Sequence, residues 1–375
     1  MNEGTVVNLF LTLRVLLVGG ILLILPRIMR KGLLFGVYIG EAAAKSDAVD
    51  QLLRAWRRGC VLVMALALSV GLGISATGWP VTGNLTGTVV LLGAALVLYL
   101  RVYARARKLV PADATRQARK AVASLDARRS RGESFARATL AVCLIVSLLS
   151  IIYALASYQV MPNLVPTPTG AGTMSEKAII DFLYFPAFGL AISSLFALLA
   201  LFSARAKHSL RDGSSSHSAE AQDAFQIFNT RMLSGMALLF CATLTLISVQ
   251  IIRVGLSKSS SLGIDDWWAA GILLFFMLFF MIFSLFWIIG KYGQGGALRE
   301  HGSVETRLTG TLADNDRWIW GLFYFDRDDS PMMVEKRFGL GYTLNYGKPA
   351  SIVFTVTYLF LIIGLATLGV VRVLS

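Results

Sequence analysis

The sequence predicts an all-α integral membrane protein with about eight transmembrane helices and a small β-rich cytoplasmic module before the last helix. Its 375 residues are 55% hydrophobic and 15% charged, whereas soluble domains are about 25% charged. Eight apolar runs approach the length of about 20 residues that a helix needs to cross the hydrocarbon core. The 22 Phe, 11 Tyr and 7 Trp exclude a disordered chain. A soluble globular protein is excluded as well.

The apolar runs divide the chain into three parts. A transmembrane bundle is predicted for residues 1–290, a cytoplasmic β-rich module for 291–349, and a last transmembrane helix for 350–375. The first run lacks a basic segment before it and a cleavage pattern after it, so we interpret it as a span, not as a signal peptide. The spans of the bundle are 5–25, 59–77, 85–105, 138–158, 179–203, 232–254 and 267–290.

The basic residues predict the orientation of these spans. Of the 35 Lys and Arg residues, 30 lie in alternate loops, and the opposite loops contain only Lys177 and Lys258. Because excess Lys and Arg marks the cytoplasmic side, both termini are predicted to be extracytoplasmic. The same distribution explains the net charge of +13 through anionic lipid headgroups on the cytoplasmic side. Nucleic acid is therefore not expected as a partner.

The segment after the first span contains glycines at a spacing of four residues. Gly32, Gly36 and Gly40 fit a helix-packing motif. Pro26 and the β-prone residues 37–39 favour an interfacial turn or short strand instead. In residues 41–58 the apolar side chains recur with helical periodicity and the charged side chains fall on the opposite face. This pattern predicts an amphipathic helix along the inner membrane surface.

The extracytoplasmic loop 159–178 is a candidate binding surface. Its prolines favour an extended path and its glycines permit a reversal. Two interpretations stay open: a surface for an extracytoplasmic protein or peptide, and an ordered connection between two spans. The candidate residues are Pro162, Val165, Pro166 and Gly170.

Arg14 is the one clearly intramembrane charge, about ten residues into the first span. Its insertion at mid-depth costs about 2.5–3.5 kcal/mol. Snorkelling toward the headgroups is one interpretation. We favour burial against an acidic partner, and Asp181 at the outer start of the fifth span is the best-placed candidate, with Glu176 as the alternative.

The segment before the last span is rich in β-prone and aromatic residues. The run WIWGLFYF and two further short runs predict strands, and the stretch from Asp326 to Pro331 predicts a turn. Asp326, Asp328 and Asp329 lack the glycine and glutamate that an EF-hand requires, so we interpret them as turn residues, not as calcium ligands. No metal site or cofactor is expected.

The same segment resembles a C-terminal bacterial domain of unknown function that occurs on multi-pass membrane proteins. The shared pattern is W-x-x-G-x-F-Y, then D-x-D-D, then V-x-K-R-F-G-x-G-x-T-x-N-x-G-x-P. The residues that we take as its signature are Trp318, Gly321, Tyr324, Lys336, Arg337, Gly339, Gly341 and Asn345.

The outer loop resembles that of SdpI-like proteins, in which the pattern Y-x-x-L-P-x-x-[IV]-P-x-H occurs at the membrane exterior. Tyr158, Pro162, Val165 and Pro166 match it, as does Gly170 at the glycine that follows the histidine in the family, and Thr167 or Pro168 stands in place of that histidine. The resemblance implies an immunity or signalling protein of the bacterial inner membrane, with a secreted toxin outside and a transcriptional regulator inside as partners.

No catalytic motif accompanies these features. The sequence has neither G-x-S-x-G nor H-E-x-x-H, and its three cysteines lie in apolar runs, where we expect packing and no disulfide. The sequence therefore predicts a binding or signalling membrane protein without catalytic activity. An accessory subunit of a larger membrane complex and a small-molecule or lipid transporter remain the alternatives.

Overall fold

The computed structural model describes residues 3–27, 29, 32–40, 43–110, 126–166, 174–206, 216–257, 264–292, 312–328 and 332–374. This part of the chain forms eight α-helices and four two-stranded antiparallel hairpins. The helices are α1 (Glu3–Ile24), α2 (Asp47–Ala76), α3 (Pro80–Arg107), α4 (Asp126–Val160), α5 (Ile179–Ala204), α6 (Ser216–Ser257), α7 (Ile264–Lys291) and α8 (Pro349–Leu374). The strands are β1 (Leu33–Leu34), β2 (Val37–Tyr38), β3 (Leu164–Pro166), β4 (Met174–Glu176), β5 (Trp318–Ile319), β6 (Phe323–Tyr324), β7 (Met333–Glu335) and β8 (Tyr342–Leu344).

Seven helices in the described part of the chain, α2 to α8, are long and apolar enough to span a membrane. They agree with the predicted multi-span fold, because a helix satisfies its own backbone hydrogen bonds in hydrocarbon. The first predicted span forms α1, a helix of 22 residues, which is not among these seven. The total of eight spans stays a prediction.

The main helix contacts define two groups, which we call the N-terminal group (α1–α3) and the C-terminal group (α4–α8). In the N-terminal group, Leu11 of α1 packs with Ala67 of α2 and Leu91 of α3, and all three are buried. A Cβ at Gly83 would lie only 2.4 Å from the carbonyl oxygen of Gly71. Glycine at these two positions therefore permits the close approach of α2 and α3.

Small residues also form the centre of the C-terminal group. Cys143, Ala197, Ala237 and Cys241 pack together where α4, α5 and α6 meet. The three cysteine thiols of the chain are free and buried. Helix α8 also contacts α5, since the hydroxyl of Tyr358 on α8 lies 3.0 Å from the Ser194 hydroxyl.

The amphipathic stretch 41–58 differs from the expectation of a separate surface helix. From residue 47 it is the first part of α2, which continues without interruption to residue 76. Its apolar face is buried against protein, since Val49, Leu52 and Trp56 belong to one core cluster with Phe35. Helical periodicity shows that a helix has an apolar face. It does not show whether that face is covered by protein or by the membrane.

The hairpins lie at opposite ends of the helices. Hairpin β3–β4 connects α4 to α5 at the end that the charges predict to be outer. The other three hairpins pack at the opposite end, which we call the inner end. Four strands, β5 to β8, lie within the predicted β-rich segment, in agreement with the expected short strands.

Candidate functional site

The inner end of the N-terminal group is covered by two hairpins that meet turn to turn. In β1–β2 the turn residues Phe35 and Gly36 have φ of +48° and +82°, and in β5–β6 Trp320 and Gly321 have φ of +54° and +69°. A Cβ at Gly36 would lie 2.8 Å from the Cα of Gly321. The turn or short-strand interpretation of the glycine-spaced segment is therefore confirmed.

Tyr99 of α3 holds the two turns together. Its hydroxyl lies 2.8 Å from the carbonyl oxygen of Trp320 and 3.2 Å from that of Phe35. Its ring centroid is 4.5 Å from that of Phe338, and the ring of Phe35 is 5.0 Å from that of Trp56. The hairpins and the inner ends of α2 and α3 thus share one aromatic core.

Asn315 lies in the segment before α8 and contacts both β2 and Arg337, which follows β7. Its amide forms a reciprocal pair with the backbone of Tyr38, since Oδ1 accepts from the Tyr38 N–H and Nδ2 donates to the Tyr38 carbonyl, both at 3.1 Å. Arg337 Nη1 donates to the same Oδ1 at 2.5 Å. The Arg337 guanidinium lies 5.4 Å from the centroid of the Trp318 ring. Trp318 and Arg337, two residues of the predicted signature, are therefore in contact.

Asn345, another signature residue, is fully buried and organises a turn. Its Oδ1 accepts from the N–H groups of Asp326 and Gly347, both at 3.0 Å, and its Nδ2 donates to the Asp326 carbonyl at 2.8 Å. The Asp326 carboxylate forms an ion pair with Arg317 at 2.7 Å and accepts from the Asp328 N–H at 2.9 Å. These contacts support the interpretation of the aspartates as turn residues, with Asp329 outside the described part.

Hairpin β7–β8 contacts both helix groups. Phe338, near its tip, packs on Tyr99 of the N-terminal group. Tyr342, four residues later, has its ring centroid 6.0 Å from that of Phe225 on α6. At the base of the hairpin, Met333 and Leu344 pack against Ala206, just after α5. One hairpin therefore joins the two groups at the inner end.

The other signature residues lie in the same assembly. Tyr324 is buried beside Trp318, with ring centroids 5.2 Å apart. Gly339 and Gly341 have φ of +92° and +84°, a region that side-chain-bearing residues rarely adopt. Burial lowers the pKa of Lys336, because desolvation disfavours its charged form. The signature therefore describes a folded junction between the hairpins and the helices.

The outer loop is anchored to the helices. Val165 is 3% exposed and packs with Phe182 and Ile252. Lys177 Nζ donates to the carbonyl oxygens of Tyr158 and Met161, at 3.2 and 2.7 Å, and so caps the carboxyl end of α4. Pro162 is half-buried, Pro166 pairs with Met174 in β3–β4, and Gly170 lies outside the described residues.

Arg14 forms a hydrogen bond with Asn84, and the structure does not bring it together with Asp181. Arg14 Nη2 lies 2.5 Å from Asn84 Oδ1 on α3, whereas Asp181 belongs to α5 in the other helix group. Within the described residues, Arg14 makes no ion pair. The expectation considered only acidic partners, but a neutral amide oxygen also accepts from a guanidinium.

Several residues of these contacts were not predicted. Asn315, Tyr99 and Asn84 are single polar or aromatic residues, and their roles depend on chain segments far apart in the sequence. The β1–β2 turn, in contrast, had a local signal in Pro26 and the β-prone residues 37–39.

A family of unknown function (DUF5808) matches residues 327–352, which include hairpin β7–β8 and the start of α8. This match supports the predicted domain of unknown function over the second half of its signature. No curated protein and no solved structure matches the chain. The resemblance to SdpI-like proteins stays a prediction.

Proposed function

We propose that this chain is a binding or signalling protein of the bacterial inner membrane, SdpI-like in kind and without catalytic activity. In this proposal an extracytoplasmic ligand binds the outer hairpin. The arrangement of the inner hairpins then changes, and a cytoplasmic regulator binds to them. The observation that carries it is the position of hairpin β7–β8, in which Phe338 packs on α3 and Tyr342 packs beside α6. A shift between the two helix groups would alter this hairpin.

The outer hairpin is connected to the same place through α5. Lys177 and Val165 fix the hairpin to the outer ends of the C-terminal group. Helix α5 begins two residues after Lys177 and ends beside Ala206, which packs on Met333 of β7. Coupling between two sites requires an element whose arrangement both sites influence, and α5 with β7–β8 supplies a continuous one.

Exposed aromatic side chains at the inner end support the proposed cytoplasmic partners. Trp320, Phe323 and Phe325 are 40–52% exposed on hairpin β5–β6 at the inner end. Aromatic side chains favour the headgroup layer, so this hairpin suits contact with the anionic cytoplasmic leaflet or with a regulator bound there. The secreted ligand is a membrane-active peptide in the proposal, in line with the resemblance of the outer loop.

An accessory subunit of a larger membrane complex is the second candidate. Helix α7 presents a row of exposed aromatic rings with centroids 5.5–6.4 Å apart. Such a row fits either lipid or the helix of another subunit. The residues of the row are Phe275, Phe279, Phe283 and Trp287.

A complementation experiment tests the proposal. Deletion of the gene is expected to change sensitivity to a secreted membrane-active peptide or expression of a neighbouring regulator, and the wild-type chain is expected to restore the parental behaviour. Phe338→Ala should fail to restore it at equal protein level, because it removes the contact with Tyr99. Phe360→Ala, which removes an exposed ring of α8 that has no role in the proposal, is the matched control.

Two outcomes would contradict the proposal. A deletion strain that behaves like its parent in both assays would exclude an immunity or signalling role. Purification of the native chain with stoichiometric membrane subunits, and with no response to the peptide, would favour the accessory-subunit function instead.

A further inference from the structure

Four polar side chains gather where the outer ends of α1, α2 and α3 meet. We call Asn8, Arg14, Ser75 and Asn84 the outer polar cluster. The Ser75 hydroxyl donates to Asn8 Oδ1 at 2.6 Å, and Arg14 Nη2 donates to Asn84 Oδ1 at 2.5 Å. Gly83 lies against the backbone of Ser75, which brings the adjacent Asn84 to the same level.

The charge of Arg14 is not neutralised within the described part of the chain. Its only recorded acceptors there are the side-chain and backbone oxygens of Asn84, at 2.5 and 3.4 Å, and both are neutral. Its Nε is buried and has no hydrogen-bond partner. A guanidinium carries five N–H donors, and burial of a charge is unfavourable unless it is paired. An anion bound at this site would therefore neutralise the charge of Arg14.

The depth of the cluster suits a lipid headgroup. Asn84 is the fifth residue of α3, so it lies about 6 Å from the start of that helix. Side chains on a helix slant toward its N-terminus, and the N-terminus of α1 is at the end predicted to be outer. Arg14 therefore directs its guanidinium toward the outer headgroups.

Apolar surface flanks the cluster on two helices. The side chains in question are spaced at three or four residues and are 52–70% exposed. They are Leu9, Leu13 and Leu16 of α1 and Leu85, Val89 and Leu92 of α3. Acyl chains of an outer-leaflet lipid can cover these faces while its headgroup reaches Arg14, whereas a soluble anion gains nothing from them.

We propose that Arg14 binds the phosphate of an outer-leaflet phospholipid, whose acyl chains lie along the exposed faces of α1 and α3. Asn84 orients the guanidinium through Nη2, and the charged N–H groups at its terminal nitrogens are donors that phosphate oxygens accept. The site is independent of the proposed signalling function, because it uses none of the residues of the inner hairpins or the outer loop.

The test measures lipid retention by native mass spectrometry of the full chain in detergent. Phosphatidylglycerol is titrated against diacylglycerol, which has the same acyl chains and no phosphate. We expect one phosphatidylglycerol to remain bound to the wild-type chain, and Arg14→Gln to weaken it by about tenfold, the effect of losing a charge-assisted hydrogen bond. Arg253→Gln, which changes an exposed arginine near the outer end of α6, should leave binding unchanged.

Three results would overturn the proposal. The first is equal retention of diacylglycerol and phosphatidylglycerol by the wild-type chain. This comparison tests whether the phosphate is recognised even if Arg14→Gln does not fold. The second is an equal loss of binding in Arg14→Gln and Arg253→Gln, or no loss in either. The third is displacement of the lipid by inorganic phosphate, which would identify a soluble anion as the ligand.

Discussion

Gly36 and Gly321 touch through their backbones, although 285 positions separate them in the chain. A Cβ on either residue would lie 2.8–3.0 Å from the Cα of the other, and both have φ in the left-handed region. The contact joins the turn of β1–β2 to the turn of β5–β6. It therefore fixes the segment before α8 to the connection between α1 and α2.

Replacement of either glycine should loosen this junction. We expect Gly36→Ala and Gly321→Ala each to destabilise it by about 1–3 kcal/mol, because a side chain adds strain at positive φ and a steric clash. Faster proteolysis of residues 312–349 in detergent would report the loss. Gly73→Ala is the control, since nothing lies within 4 Å of a Cβ there. Equal proteolysis of all three variants and the wild type would refute the prediction.

The hydroxyl of Tyr99 should contribute to the same junction. Tyr99→Phe keeps the ring beside Phe338 and removes the hydrogen bond to the turn carbonyls. We expect a loss of about 1 kcal/mol in the free energy of unfolding, the net value of one hydrogen bond. Tyr103→Phe, one helical turn away on α3 and also buried, is the matched control. A larger effect of Tyr103→Phe in thermal unfolding would contradict the role given to Tyr99.

Asn345 should be the most sensitive polar residue of the module. Asn345→Leu leaves the N–H groups of Asp326 and Gly347 without their acceptor, and each buried unsatisfied group costs about 1–3 kcal/mol. We expect lower expression and a lower unfolding temperature. Asn163→Leu changes an exposed asparagine in the outer loop and should have little effect. Similar unfolding temperatures for the two variants would show that the Asn345 network contributes little.

The sequence predicted the helices and the strands of the module because their signals are local. A run of about 20 apolar residues suffices for a span, and the β-prone run at 318–325 suffices for a hairpin. Contacts between distant segments have no such signal. The carboxamide of Asn315 pairs with the backbone of Tyr38, and no periodicity in the sequence indicates that these residues meet.

Arg14 shows why the candidate sites were harder to predict than the fold. The sequence identified the residue as unusual, since a charge within an apolar run is rare. Its partner was sought among acids, yet the structure supplies the amide oxygen of Asn84. The division of the helices into two groups, which separates Arg14 from Asp181, depends on packing that the span pattern does not contain.

Lys336 should make stability depend on pH. Burial lowers the pKa of Lys336 in the folded state below the ordinary value of 10.5. Between the folded-state pKa and 10.5, the folded state therefore binds fewer protons than the unfolded state. Stability should therefore increase with pH in that window and be lowest below it. Lys336→Met is expected to raise the unfolding temperature at neutral pH and to reduce its increase as pH rises toward 10.5. Lys45→Met, at an exposed lysine, should preserve the wild-type slope, and an unchanged slope in Lys336→Met would refute the assignment.

The predicted orientation can be tested at described, exposed positions at the two ends of the helices. Thr77 lies between α2 and α3 at the predicted outer end, and Asp316 lies in the inner module. An impermeant thiol reagent added to intact cells should label Thr77→Cys, whereas Asp316→Cys should react only after permeabilisation, because the 30 basic residues of the alternate loops retain the inner end in the cytoplasm. The three native cysteines are buried, so the wild-type chain is the control for background labelling. Labelling of Asp316→Cys but not of Thr77→Cys on intact cells would invert the topology, and with it the leaflet in which Arg14 meets lipid.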